Sequence, residues 1–149
     1  MNTKLSPKAR GELTEAVVLA RLIEYGYSVS MPFGDNRRYD MVVDDGRQLH
    51  RVQVKTARDG RNAGTIEFNT SSIHPLSGKT TLYHGQIEAF IAYHPGLCAF
   101  YWVPVDVPQG TRLVLRIAPA KNNQVYRTRA AEPYRLQPAP SNLPPSKRS

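Results

Sequence analysis

Hydrophobic residues recur with helical spacing in the first part of the chain. Ser6-Pro7 before this segment and Gly26 after it are typical of helix boundaries. We therefore expect a helix over residues 8–25. Its regularly spaced apolar residues are Leu13, Ala16, Val17, Ala20 and Ile23.

This predicted helix carries two carboxylates on its apolar side. A helical projection places Glu12 and Glu15 within the arc of apolar residues, with Thr14 and Arg21 on the opposite side. A carboxylate that faces a core is unfavourable unless a cation, a hydrogen-bond donor or a metal compensates it. Glu15 is therefore a candidate functional residue. The alternative is that Glu15 lies at the edge of this face and reaches water or pairs with Arg51.

After the helix, short runs of β-type residues alternate with turn residues. The strands expected in this part are residues 27–31, 39–43, 48–56 and 65–69. Asp45-Gly46, between the second and third runs, marks a hairpin turn. Within the third run Val52 and Val54 share one face of the strand. Gln53 and Lys55 lie on the other face, so a polar surface follows the expected hairpin.

The second half of the chain contains further strand patterns and ends in a proline-rich segment. Residues 71–83 have no clear period, and we expect an irregular loop there. A short helix can form over residues 123–131. Residues 132–149 contain five prolines and little apolar material, which predicts a single domain over residues 1–131 followed by a flexible basic tail. The runs expected to extend the first sheet are residues 86–94, 98–105 and 112–117.

The composition is that of one globular domain. The chain has 149 residues, of which 40% are hydrophobic, and this suits a single core. No apolar run approaches the roughly 20 residues that cross a bilayer. The single cysteine, Cys98, cannot form an internal disulfide. We therefore expect a cytoplasmic protein with no membrane partner.

Positive charge is concentrated towards the C-terminus. The chain has a net charge of +8, and residues 107–149 carry eight basic side chains against one acidic side chain, Glu132. Such a surplus favours a polyanionic partner, most commonly nucleic acid. The alternative is an ordinary solvated basic surface.

Three features that carry chemistry occur in order along the chain. Glu15 lies on the helix, Asp40 lies at the start of a strand, and Gln53 and Lys55 lie two positions apart on the paired strand. This arrangement resembles the PD-(D/E)xK nuclease superfamily, with Gln53 at the position of the second acid. The proline of the motif is absent, because Tyr39 precedes Asp40. Within the superfamily the chain is most similar to the small homing endonucleases associated with bacterial group I introns.

The resemblance implies a fold and an activity. The fold is α/β, with a restriction-endonuclease-like mixed central sheet, an N-terminal helix and flanking helices. The activity is that of a Mg²⁺-dependent DNA endonuclease, in which Mn²⁺ is expected to substitute. Asp40 is expected to bind the metal directly, with Glu15 and Gln53 as further oxygen ligands. Lys55 is expected to orient the attacking water and to offset charge on the phosphate.

The resemblance also implies partners for this domain. Double-stranded DNA is the expected substrate, and a homo-oligomer, either a dimer or a tetramer, is expected because a small domain contacts only a short stretch of duplex. Loop arginines around the site are expected to contact phosphates. They are Arg37, Arg38, Arg58 and Arg61.

Two other functions remain open at this point. One is a Holliday-junction-resolvase-like nuclease that uses the same residues on branched DNA. The other is a non-catalytic nucleic-acid-binding module in which Gln53 reflects a loss of catalysis. Asp40 also suits an ordinary aspartate beside a turn, and Gln53 and Lys55 also suit the solvent face of an edge strand.

Overall fold

The computed structural model describes residues 4–119 and 128–140. Within these residues the only α-helix is α1 (Pro7–Glu24). It begins after Ser6, whose Oγ accepts a hydrogen bond from the Ala9 N–H at 3.1 Å, and it ends before Gly26, which has a φ of 89°. The predicted helix is therefore confirmed, with each boundary one residue earlier than expected. No helix in the described ranges combines the length and apolar character needed to span a membrane.

The rest of the described chain is mainly β-structure, with short 3₁₀ helices at Pro95–Leu97 and Glu132–Tyr134. The strands are β1 (Ser28–Ser30), β2 (Met41–Asp44), β3 (Leu49–Thr56), β4 (Arg58–Asp59), β5 (Thr65–Asn69), β6 (Ser71–Ile73), β7 (Thr80–Leu82), β8 (Ala89–His94), β9 (Ala99–Pro104), β10 (Arg112–Arg116) and β11 (Arg129–Ala130).

These strands form two sheets and a separate two-stranded ribbon. The first sheet has the order β1-β2-β3-β8-β9 and the second has the order β11-β10-β5-β4. In the first sheet β3 and β8 are parallel whereas the other neighbours are antiparallel. The expected mixed central sheet beside an N-terminal helix is therefore confirmed, whereas residues 4–119 and 128–140 contain no further α-helix to flank it.

Two strand predictions for the second half of the chain were wrong. The run over residues 112–117 does not extend the first sheet, because β10 pairs with β5 and buries Leu113 and Leu115 beside Phe68 and Ile66. The expected loop over residues 71–83 contains the β6–β7 ribbon. That ribbon is rich in serine and threonine, so its strands carry no apolar alternation to reveal them.

The face of α1 that packs on the first sheet also differs from the prediction. Thr14, Val18 and Leu22 are buried, whereas Leu13 and Ile23 are 52% and 61% exposed. Thr14 Oγ1 lies 2.7 Å from the hydroxyl oxygen of Thr56, and this hydrogen bond satisfies the buried hydroxyl. Because both sides of the helix carry apolar residues, periodicity could not decide which side faces the core.

The first sheet lies between two apolar clusters. One cluster joins α1 to the side of the sheet that carries Val52 and Val54. The other fills the space between the first and second sheets and includes Phe68, Phe90 and Leu115. Side chains alternate along β3, so Gln53 and Lys55 project from the side of the sheet opposite the two valines.

Residues 132–140 pack against the domain, so the prediction of a flexible tail was wrong for this part. Leu136 and Ala139 are buried. The Leu136 N–H donates to the Phe100 carbonyl at 2.9 Å, and the Ala139 N–H donates to the Tyr25 carbonyl at 2.8 Å. Prolines restrict the unfolded chain, so a few buried residues suffice to offset the entropy lost on ordering. Residues 141–149 lie outside the described residues.

The expected helix over residues 123–131 falls largely outside the described residues. Its described C-terminal end contains β11, which pairs in parallel with β10. This end is therefore extended rather than helical.

Candidate active site

The β2–β3 hairpin holds Asp40 against the backbone of β3. The antiparallel ladder begins with the pair Met41 and Val52, and Asp40 lies immediately before it, outside β2. The Asp40 N–H donates to the Val52 carbonyl at 2.8 Å, and Asp40 Oδ2 accepts a hydrogen bond from the Val54 N–H at 2.8 Å. The expected hairpin of β2 and β3 is therefore present, and the β3 backbone fixes the position of the Asp40 carboxylate.

Glu15 reaches the same end of the hairpin from α1. Burial, a side-chain hydrogen bond with Asp40 and the negative charges of Asp40 and Glu12 raise the pKa of Glu15 from 4.5 to about 7. The two carboxyl groups of Glu15 and Asp40 thus lie close enough to oppose each other's ionisation. A shared cation relieves this repulsion, which is the electrostatic property expected of a metal-binding pair.

Lys55 lies on the side of the first sheet that faces the second sheet. Its Nζ is 3.4 Å from the Tyr83 hydroxyl and 5.0 Å from the centre of the Tyr83 ring. Tyr83 is only 4% exposed and packs edge-to-face against Phe90 at 5.5 Å. A buried ring held in this way limits the positions available to the lysine ammonium group.

Arg38 connects the region around Asp40 with the β6–β7 ribbon. Its guanidinium lies 4.0 Å from the centre of the Tyr83 ring and donates hydrogen bonds to Gln86 Oε1, Ser72 Oγ and the Leu82 carbonyl. Three of its five N–H donors are therefore directed to protein groups. Its geometry suits a residue that positions the ribbon.

The other three arginines expected to contact DNA have different surroundings. Arg37 and Arg61 are exposed on loops. The side chain of Arg58 is half exposed and forms an ion pair with Glu67 at 3.5 Å. Arg37 and Arg61 are thus the most open of the four, whereas Arg38 and Arg58 have protein partners.

The donor set around Asp40 is composed of oxygen atoms. Asp40 and Glu15 supply carboxylates that lie close together. Gln53 carries an amide oxygen, and its side chain projects from the face of β3 opposite Val52 and Val54. No group of three or more histidine, cysteine, aspartate or glutamate residues that could hold a metal occurs within residues 4–119 and 128–140. Oxygen ligands of this kind suit Mg²⁺ or Mn²⁺.

Sequence reasoning missed the residues that support this site. Tyr83 follows the β6–β7 ribbon, in a segment without periodicity, and only the folded chain brings it to Lys55. Thr14 lay on the side of the predicted helix that we expected to face solvent, yet it bonds to Thr56 at the end of β3. No local pattern in the sequence could have revealed either contact.

Comparison with known proteins places this arrangement in a family. A model of the PD-(D/E)XK endonuclease family matches residues 5–137. The chain belongs to the PD-(D/E)XK endonuclease family. No curated protein sequence matched it.

Among solved structures, the chain is similar to that of a bacterial homing endonuclease, I-Ssp6803I. The two share 26% sequence identity with a TM-score of 0.64, and the match covers 87% of this chain and 86% of the other. PD-(D/E)XK endonucleases generally use divalent metal ions. The family match extends to residue 137 and thus includes most of the segment after residue 131 that packs on the domain.

Proposed function

We propose that this PD-(D/E)XK endonuclease hydrolyses phosphodiester bonds of double-stranded DNA with Mg²⁺ and acts as a homing endonuclease. The observation that carries the proposal is the approach of Glu15 to Asp40 beside the Gln53 and Lys55 strand. The similarity to a bacterial homing endonuclease over most of both chains supports the homing type. The single cysteine, Cys98, suits a reducing, cytoplasmic compartment.

In this proposal Asp40 and Glu15 hold the metal ion, and the amide oxygen of Gln53 is a neutral ligand to the ion or to its water. When bound, Mg²⁺ supplies positive charge at the scissile phosphate. Lys55 has three donor protons, of which one is directed towards the Tyr83 hydroxyl. The other two are available to orient the attacking water and to donate to a phosphate oxygen.

Cleavage of supercoiled plasmid tests the proposal. Asp40→Asn and Lys55→Ala should abolish Mg²⁺-dependent cleavage while DNA affinity stays close to that of the wild type, because both residues act on the transition state. Asp106→Asn, an equivalent change at an exposed aspartate, is the matched control and should cleave normally. Near wild-type cleavage by either active-site variant would contradict the assignment.

Two further outcomes of this assay identify the alternative functions. Preferential cleavage of a four-way junction in the presence of excess linear duplex would indicate a junction-resolving nuclease instead of a homing endonuclease. DNA binding without cleavage by the wild type, with Mg²⁺ or Mn²⁺ present, would indicate a binding module.

We also propose that the chain forms a homo-oligomer through the outer face of α1. Leu13 and Ile23 are more than half exposed there, and the exposed Ala16 and Ala20 lie between them on the same side of the helix. A second copy of the chain would cover this apolar stripe, and two copies would contact a longer site on DNA. Light scattering should show a dimer or tetramer, and Leu13→Glu should shift it towards the monomer.

A further inference from the structure

A polar groove lies between the second sheet and the β6–β7 ribbon, outside the candidate active site. Its volume is about 500 Å³. Most of the residues around it can donate or accept hydrogen bonds, and two of them are arginines. They include Arg58, Asn69, Ser71, Thr80, Thr111 and Arg112.

Both arginines are held by one buried carboxylate. Glu67 on β5 is only 7% exposed, and its two oxygens lie 3.5 Å from Arg58 Nε and 3.0 Å from Arg112 Nε. Arg58 is the direct cross-strand partner of Glu67, and Arg112 lies diagonally across from it on β10. The Arg112 Nε is not aligned for a hydrogen bond, so Glu67 Oε2 has an ion pair but no hydrogen bond within the described residues.

This arrangement orients the guanidinium groups more than it adds charge. The two arginines and one glutamate carry a net charge of +1, so the glutamate carboxylate cancels part of the electrostatic attraction of the arginines for phosphate. Glu67 faces the Nε atoms, and one terminal nitrogen of Arg58 donates to Asn69 Oδ1 at 3.3 Å. The terminal nitrogens of Arg112 make no hydrogen bond within residues 4–119 and 128–140, so both remain for another acceptor. The arginine side chains are 50% and 54% exposed. A planar pair of N–H donors matches the O6 and N7 acceptors of guanine.

The groove is also close to the candidate active site. Arg58 follows Lys55 by three residues, so their Cα atoms are at most about 11 Å apart. The β6–β7 ribbon that borders the groove is held at its base by Arg38, two residues before Asp40. A two-stranded ribbon fits the major groove of B-DNA.

We infer that, if the proposed function is correct, this groove reads a guanine in the DNA major groove near the cleaved bond. Arg58 and Arg112 contact the base, and Glu67 is a positioning residue that fixes their guanidinium planes. Ser71, Thr80 and Thr111 supply further donors and acceptors along the base edges. The arginine pair thereby contributes to target choice, separately from the residues that carry the chemistry.

Binding selection from a random-sequence duplex library tests this inference on the full chain in metal-free buffer. The wild type should enrich guanine at a fixed position, and Arg112→Lys should reduce that preference about 10-fold, because lysine keeps the charge but loses the paired donors. Arg47→Lys, the same change at an exposed turn away from the groove, should select the wild-type sequence. Glu67→Gln should also weaken the guanine preference. If the melting temperature of this variant equals that of the wild type, the weaker preference reflects the orientation of the arginines and not a folding defect.

Two results would overturn the inference. In the first, Arg112→Lys keeps the selected sequence unchanged while affinity falls equally for all duplexes and the dependence on salt weakens, which would show that the arginine contacts phosphate. Selection and affinity identical to the wild type would mean that the groove does not contact DNA.

Parallel plasmid cleavage by the wild type separates this inference from the proposed function. If the wild type cleaves with Mg²⁺ and Arg112→Lys selects the same sequence as the wild type, only the groove assignment is refuted. If the guanine preference depends on Arg112 but the wild type does not cleave, only the proposed catalysis is refuted.

Discussion

Leu136 should contribute strongly to stability although it lies in a proline-rich segment near the end of the chain. It is only 4% exposed and packs in the cluster that includes Val18 and Leu22 of α1. Its backbone N–H also donates to the Phe100 carbonyl at 2.9 Å. Truncating a fully packed leucine to alanine costs about 3 kcal/mol, through lost burial and the cavity that remains. In a domain of this size, that corresponds to a fall of about 10 °C in the melting temperature.

Urea unfolding of Leu136→Ala, followed by fluorescence, measures this cost. Trp102 is the single tryptophan and packs against the same cluster, so its emission reports loss of this core. Leu76→Ala is the matched control, because Leu76 is 93% exposed and its loss should change the free energy of unfolding by less than about 0.5 kcal/mol. If Leu136→Ala and Leu76→Ala had equal effects, the packing of residues 132–140 on the domain would be refuted.

Three further predictions concern the candidate site. The pKa of Glu15 is raised to about 7, so in the metal-free protein the protonated Glu15 contributes its full stabilisation below pH 4.5. This stabilisation is lost as the pH rises through about 7. Urea titrations in EDTA should therefore show the wild type losing about 1–2 kcal/mol between pH 5 and pH 8, after allowance for solvent screening, whereas Glu15→Gln should not. Gln53→Glu should lower metal-free stability and strengthen Mn²⁺ binding by calorimetry, and unchanged values would place residue 53 away from Asp40. Tyr83→Phe keeps the ring but removes the hydroxyl 3.4 Å from Lys55 Nζ, so single-turnover cleavage should slow about 3- to 10-fold without a change in melting temperature. A rate equal to that of the wild type would show that the hydroxyl does not position the lysine.

The sequence by itself determined the features that depend on neighbouring residues. Ser6 and Gly26 set the limits of α1 through capping and a left-handed backbone conformation. The Asp45-Gly46 turn and the alternation along β3 set the register that pairs Met41 with Val52 and so brings Asp40 to β3. These signals act over a few residues, so the hairpin and its candidate site residues could be predicted before the fold was known.

Only the tertiary structure decided which surfaces meet. Thr14, and not the predicted Leu13, lies on the buried side of α1, because a hydrogen bond to Thr56 satisfies its hydroxyl in the core. β10 joined the second sheet because burial of its leucines depended on a partner strand more than forty residues earlier in the chain. The contact of Tyr83 with Lys55 and the packing of Leu136 likewise join distant segments. Such contacts depend on the free energy of the assembled core, which local periodicity does not report.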